Sequence, residues 1–127
     1  MRSVTGKAEI GNFGKPEKVM NFPKGRSELV RIGGSLIGRS VFEPGWKWSA
    51  SVGPTAKTKS CQASHLLYHV SGTLHVVTDD GGQFDCRSGE VSVIPPGHDA
   101  WVVGDEPVVI IDFQGMFDPA GRSAAST

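Results

Sequence analysis

GPTAKTKSCQASHLLYHVSG at residues 53–72 and GEVSVIPPGHDAWVVG at residues 89–104 are the two passages that decide how this chain folds. Each sets short apolar runs against glycine-marked corners. Leu66 to Val70 runs into Ser71-Gly72, Val91 to Ile94 into Pro95-Pro96-Gly97, and Ala100 to Val103 into Gly104. Between the passages, Leu74 to Thr78 and Phe84 to Cys86 flank Asp79-Asp80-Gly81-Gly82, a turn of the kind that closes hairpins. The spacing predicts strands broken by a turn about every eight to twelve residues. All four histidines (His65, His69, His75, His98) and both cysteines (Cys61, Cys86) fall within residues 53–104.

Outward toward the N-terminus, Val19 to Phe22, Glu28 to Ile32 and Ser35 to Phe42 read as strands, separated by Pro23-Lys24-Gly25 and Gly33-Gly34. Glu43-Pro44-Gly45 is a turn, and Trp46-Lys47-Trp48 then alternates so that both indoles share one face of a strand, as core or as the wall of a pocket. Residues 53–60 read as a polar loop. Outward toward the C-terminus, Pro107 to Phe113 is almost continuously apolar, which predicts burial on both faces or a place in a subunit contact. The expected division is an arm over residues 1–18, one domain over 19–117 and a flexible tail over 118–127. Eight to ten short strands without a helix predict an all-β fold, a sandwich or a double-sheet jelly-roll β-barrel.

Composition agrees. Seventeen glycines and eight prolines in 127 residues disfavour a helical bundle. Thirteen basic and thirteen acidic residues leave no net charge, so neither nucleic acid nor an anionic membrane is an expected partner. The first residues lack the apolar run of a secretory signal, and no stretch approaches the length of a membrane span, so a cytoplasmic protein with two free thiols is expected.

The two passages also carry a resemblance. At the intervals where the first motif of the cupin superfamily has Gly, His, His, Glu and Gly, this chain has Gly53, Lys59, Cys61, His65 and Gly72. Where the second motif has Gly, Pro, Gly, His and Asn, it has Gly89, Pro95, Gly97, Ala100 and Gly104. The chain therefore resembles a small single-domain cupin over roughly residues 40–114, and FEPGWKW, YHVSG and IPPGHDAWVVGDEP resemble small bacterial cupin-domain proteins. The resemblance implies a jelly-roll barrel whose metal, when present, lies inside, held by the histidines and glutamate of the motifs. All four of those positions are altered here.

A shifted site remains within reach of the residues present. Cys61 and His65 can both bind a metal, and His98 lies two positions before Ala100, on the same face of a straight strand. A Cys/His/His set suits zinc first and iron or copper next, with an open position for water or substrate. His75 is a candidate fourth ligand or general base. Alternatively, His98 caps the Pro95-Pro96-Gly97 corner with Asp99 orienting it, Cys61 is a small buried hydrophobe, and Lys59 is a solvated loop residue or, in an apolar barrel, a base. Trp46, Trp48, Lys59, His69 and Trp101 are candidates for the walls of a substrate pocket.

Three functions fit. The first is a metal-dependent enzyme, an oxygenase or isomerase, acting on a small molecule inside the barrel. The second, implied by the resemblance, is a metal-free epimerase-type enzyme in which His65 or His75 and Tyr68 exchange protons with the substrate. The third is a binding or sensing module without catalysis. A homodimer is expected, with the Glu28–Ile32 and Val108–Phe113 strands as its surface.

Overall fold

The computed structural model describes residues 6–57 and 59–114. The tail expected from Asp118 lies outside the described residues. Nine strands form two sheets in which every pairing is antiparallel. They are β1 (Lys18–Phe22), β2 (Gly25–Ile32), β3 (Ser35–Phe42), β4 (His65–Ser71), β5 (Thr73–Thr78), β6 (Gln83–Cys86), β7 (Val91–Ile94), β8 (His98–Val103) and β9 (Val108–Gln114). The six-stranded sheet has the order β1-β2-β3-β9-β4-β7, and the three-stranded sheet the order β6-β5-β8. Among the described residues no helix is long and apolar enough to cross a membrane.

Alternation does most of the folding. Along β3 every second residue is buried, so Leu36, Gly38, Ser40 and Phe42 face inward. β5 turns Leu74 and Val76 inward, β4 turns Leu67 and His69, and β9 turns Val108, Ile110 and Asp112. Phe42, Leu67, Leu74, Val76, Ile94, Val108 and Ile110 belong to one core, joined by Trp46 and Trp48. Removing this apolar surface from water contributes roughly 25 cal/mol per Å².

β9 pairs with β3 on one side and β4 on the other, which explains its apolar sequence: one face is buried and Val109 and Ile111 on the other are half-buried. Both strands expected to carry a dimer contact, β2 and β9, are interior to the sheet. Both have neighbours on either side, β2 pairing with β1 through Gly25–Leu29, so what they chiefly offer a second copy is an outer face.

Two features depart from the sequence reading. Trp48 does not continue a strand from Trp46. It opens a one-turn helix, α1 (Trp48–Ser51), followed by a second, α2 (Gly53–Ala56), where a loop was expected. The Asp99 carboxylate accepts the Ser49 N–H at 3.0 Å, which stabilises the start of α1, and Pro54 sits at the first turn of α2, where its missing N–H is harmless. Helices of four residues are too short to display a 3.6-residue period, so the sequence held no signal for them. Within the arm, the Glu17 N–H bonds the Leu29 carbonyl at 2.8 Å, and Arg39 lies 5.2 Å from the centre of the Phe13 ring.

Gly72 links β4 of the six-stranded sheet to β5 of the three-stranded one. Its φ is +77°, and an added Cβ would run into the Pro107 carbonyl and stand 2.8 Å from Val108 Cα. Gly104 has a similar φ of +83° with open space around it. Gly72→Ala is therefore expected to destabilise by about 2–5 kcal/mol, from backbone strain plus collision. Gly104→Ala, with strain alone, should lose about 1–2 kcal/mol. Urea denaturation of the two variants checks the difference; equal losses would show that the approach at Gly72 is not tight.

Candidate metal centre

Local backbone geometry brings three ligand-type side chains together. Cys61, outside any strand, forms an isolated antiparallel bridge with His98 at the start of β8. The Cys61 N–H bonds the His98 carbonyl at 2.6 Å, and the Cys61 carbonyl accepts the Gly97 N–H at 2.7 Å and the His98 N–H at 3.2 Å. Residues opposed in this way project their side chains to the same face. Gly97, with φ +87°, permits the corner that presents His98. His65 opens β4 opposite Ile94 of β7 and turns inward.

Hydrogen bonds then fix the rings. His65 Nδ1 lies 2.7 Å from Asp112 Oδ2, and His98 Nδ1 lies 2.8 Å from the Pro95 carbonyl. A carbonyl only accepts and an ionised carboxylate only accepts, so both rings carry a proton on Nδ1. Each Nε2 is left facing the Cys61 sulfur: His65 Nε2 is 3.5 Å from Sγ, and the two rings meet edge to face at 5.1 Å between centroids. One donor atom from each of Cys61, His65 and His98 lies within 4.8 Å of the others. A tetrahedral zinc ion holds sulfur and nitrogen ligands roughly 3.3–3.8 Å apart, so the set fits with a modest closure at His98. Asp112 meets the usual requirement that a ligating imidazole donate its other N–H to a fixed acceptor. Its second oxygen accepts the Gln114 N–H at 2.9 Å.

The electrostatics point the same way. Burial pushes the Cys61 thiol up, but hydrogen bonds from His65 and His98 and from the backbone at Ala63 outweigh it and lower the thiol from 9.0 to about 6. Burial pushes His65 down, but the Asp112 and Cys61 hydrogen bonds and charges raise it from 6.5 to about 9. Near neutral pH the metal-free pair is thus a thiolate beside an imidazolium. A soft anion in this position is the form in which cysteine binds metal.

A cavity of about 170 Å³ opens beside the three donors. Phe22, Phe42, Trp46, Trp48, Leu67 and Leu74 supply much of its wall. Trp46 stacks on Phe42 at 3.9 Å between ring centres. Trp46 and Trp48 thus face the cavity although they do not share a strand.

Other sequence candidates are placed elsewhere. Leu74 and Val76 turn inward, so His75 between them faces outward, where its ring meets Asp85 at 2.6 Å, Gln83 at 3.0 Å and Trp101 at 4.8 Å. It is neither a fourth ligand nor a base in the cavity. Tyr68 is 40% exposed on the outer face of β4, so no His65 or His75 pair with Tyr68 is assembled for proton exchange. Trp101 stands on the outer face of β8 under the Lys47 ammonium, 5.0 Å from its ring. Lys59 is exposed, and His69, though buried, bonds Ser92 Oγ at 2.8 Å and does not line the cavity. Asp99 holds α1 and leaves the orienting of His98 to Pro95. Asp112 was missed. Its signal was a carboxylate at the inward parity of a strand otherwise made of valine, isoleucine and phenylalanine, where an acid requires a partner.

No protein-family profile and no curated protein matches the chain. Solved structures do. A protein of unknown function from Rhizobium leguminosarum superposes with a TM-score of 0.59 at 17% identity, covering 84% of this chain and 94% of that one. Another, from Vibrio parahaemolyticus, gives 0.57 at 17% identity over 76% and 96%. An oxalate decarboxylase of Bacillus subtilis gives 0.54 at 18% identity, covering 80% of this chain and 29% of that one. The fold is cupin-like. In this double-sheet barrel the Cys61, His65 and His98 cluster occupies the interior, with chemistry that can hold a metal ion.

The thiolate is directly measurable. Taken singly, the lowered Cys61 value stabilises the fold above pH 9 and that contribution is lost as pH falls through about 6. The raised His65 value stabilises below pH 6.5 and is lost as pH rises through about 9. The two trends offset between 6 and 9, so stability there is expected to stay nearly flat while the thiolate is already formed. Ultraviolet absorbance of the metal-free protein should show one thiolate appearing with a midpoint near 6. Burial raises the other cysteine, Cys86, to about 11 and removes it from this window. Asp112→Asn should move the midpoint upward. A single step near 9 in the unaltered protein would contradict the geometry.

Proposed function

We infer that this protein binds one divalent metal ion, zinc before iron or copper, through Cys61 Sγ, His65 Nε2 and His98 Nε2, and receives a small molecule in the adjoining cavity. The observation that supports this is the convergence of three donors whose other hydrogen-bonding atoms are already engaged by Asp112, Pro95 and the backbone. With both Nδ1 atoms held by fixed acceptors, the imidazoles meet the Cys61 sulfur through their other nitrogens, where an ion could take the place of the proton shared with the sulfur. A bound ion would supply Lewis acidity at the open position. Asp112 orients the His65 ring and keeps its Nδ1 proton in place, Cys61 contributes a balancing negative charge, and the aromatic walls exclude water. A reduced Cys61 thiol suits the cytosol, where we place the protein.

Whether such a site catalyses or only binds turns on the free acid–base groups. Among the described residues, the titratable side chains lining the cavity are Cys61, His65, His98 and Asp112, each with a role in the cluster. That favours, as a second reading, a sensing or binding module over an enzyme with a separate general base. An oxygenase or isomerase acting through the metal alone is the first reading's catalytic form.

Metal analysis of protein purified without a histidine tag tests the proposal. One equivalent per chain is expected, lost in Cys61→Ala and in His98→Ala, and bound about tenfold to a hundredfold more weakly in Asp112→Asn. Folded protein that takes up no metal from a zinc, iron or copper solution would refute it.

A further inference from the structure

The cavity's size, charge and one unused hydrogen-bond donor together specify a ligand class. About 170 Å³ is little more than the roughly 150 Å³ of an apolar protein cavity that accommodates benzene. Sugars with phosphate groups, and extended multi-ring compounds, exceed it. Among the described residues no Lys or Arg side chain lines the cavity. The Asp112 carboxylate already lies among the lining residues, behind His65. With no basic side chain to pair it, a dianion would bury uncompensated charge among Phe42, Leu67 and Leu74, at a high desolvation cost. The walls favour a neutral guest.

Among the described residues two buried side-chain polar atoms lack a partner, His69 Nδ1 and Trp46 Nε1, and of the two residues Trp46 lines the cavity. Trp46 is 4% exposed and lines the cavity, yet among the described residues its indole Nε1–H has no hydrogen-bond acceptor. A buried donor left unpaired is destabilising, and the apolar lining around it provides no remedy. The orphan N–H is therefore a candidate contact for a ligand acceptor.

We propose that the cavity takes a neutral molecule about the size of one six-membered ring, carrying a hydrogen-bond acceptor for Trp46 Nε1 and an oxygen or sulfur donor directed at the Cys61, His65 and His98 cluster. Only the donor requirement rests on the metal-site reading. The ring size, neutrality and acceptor follow from the cavity itself.

The test is a set of binding titrations, by calorimetry, of untagged protein whose metal content has been measured, with phenol and cyclohexanone against oxalate and malonate. The ring compounds are expected to bind at least tenfold more tightly than either dianion. Trp46→Phe keeps an aromatic side chain but removes the N–H together with one of the two fused rings, so it should weaken cyclohexanone about threefold to tenfold more than benzene, which has no acceptor, while leaving metal content and the circular dichroism spectrum unchanged. Tighter binding of oxalate or malonate, or failure of both ring compounds to bind folded protein, would overturn the inference, and an equal effect of Trp46→Phe on cyclohexanone and benzene would overturn the role of the indole. The metal measurement separates the two proposals. Ring binding by folded protein that takes up no zinc, iron or copper sustains the cavity inference and refutes the metal reading, whereas metal-loaded protein that prefers dianions does the reverse.

Discussion

A carboxylate that is 2% exposed in the middle of a six-stranded sheet cannot stand alone, and the rest of the site depends on how Asp112 is satisfied. Its Oδ2 meets His65 Nδ1 and its Oδ1 takes the Gln114 N–H. The first bond crosses from β9 to β4, so one interaction ties two neighbouring strands at the end of the barrel and sets the plane of the imidazole. Removing either partner would strand the other in a low-dielectric interior, where an unpaired charge costs several kcal/mol. The same bond decides which nitrogen of His65 faces Cys61, and through that the charge on the thiol.

Electrostatics and backbone geometry reinforce each other here. Cys61 and His98 are held face to face by paired backbone hydrogen bonds that do not depend on what their side chains do. The ligand-type groups are thus preorganised by the chain, and the thiolate forms because a histidine already oriented by a carboxylate stands 3.5 Å away. A pair whose partners are held by independent constraints loses less side-chain entropy on binding an ion than a pair that must first find each other.

Much of the fold could be read from punctuation. Gly72, Gly97 and Gly104 occupy positive φ at the turns where the spacing placed them, strand alternation turns His65 and His98 inward, and an isolated backbone bridge to His98 brings Cys61, itself outside any strand, within reach of them. Parity alone could not say which of two faces was inward. His75 shows the limit, since its strand is short and mixed enough that only the burial of Leu74 and Val76 reveals that the histidine points out. Tyr68 and Trp101 were drawn into the pocket by their residue type, whereas their strands turn them to the outer faces of the sheets. The turn after Trp46 was invisible for a different reason: the group that stabilises α1, Asp99, lies on a strand far away in sequence. Asp112 was overlooked because its run looked like pure core.

The substitutions within the two cupin-like passages make sense as one displacement. Ala100 stands where the resemblance implies a histidine, and His98, two residues earlier on the same inward face, lies beside the Pro95–Gly97 corner. Two residues of strand correspond to roughly 6–7 Å. A metal held by His98 would therefore lie nearer that corner than one held from position 100, with Cys61 meeting it there because Cys61 pairs with His98 and not with Ala100. The small Ala100 side chain lines the cavity at the position an imidazole would otherwise fill. Moving the ligand along the strand and leaving a methyl group behind are then two parts of one change: the first brings the donors to the corner, and the second opens apolar room beside them.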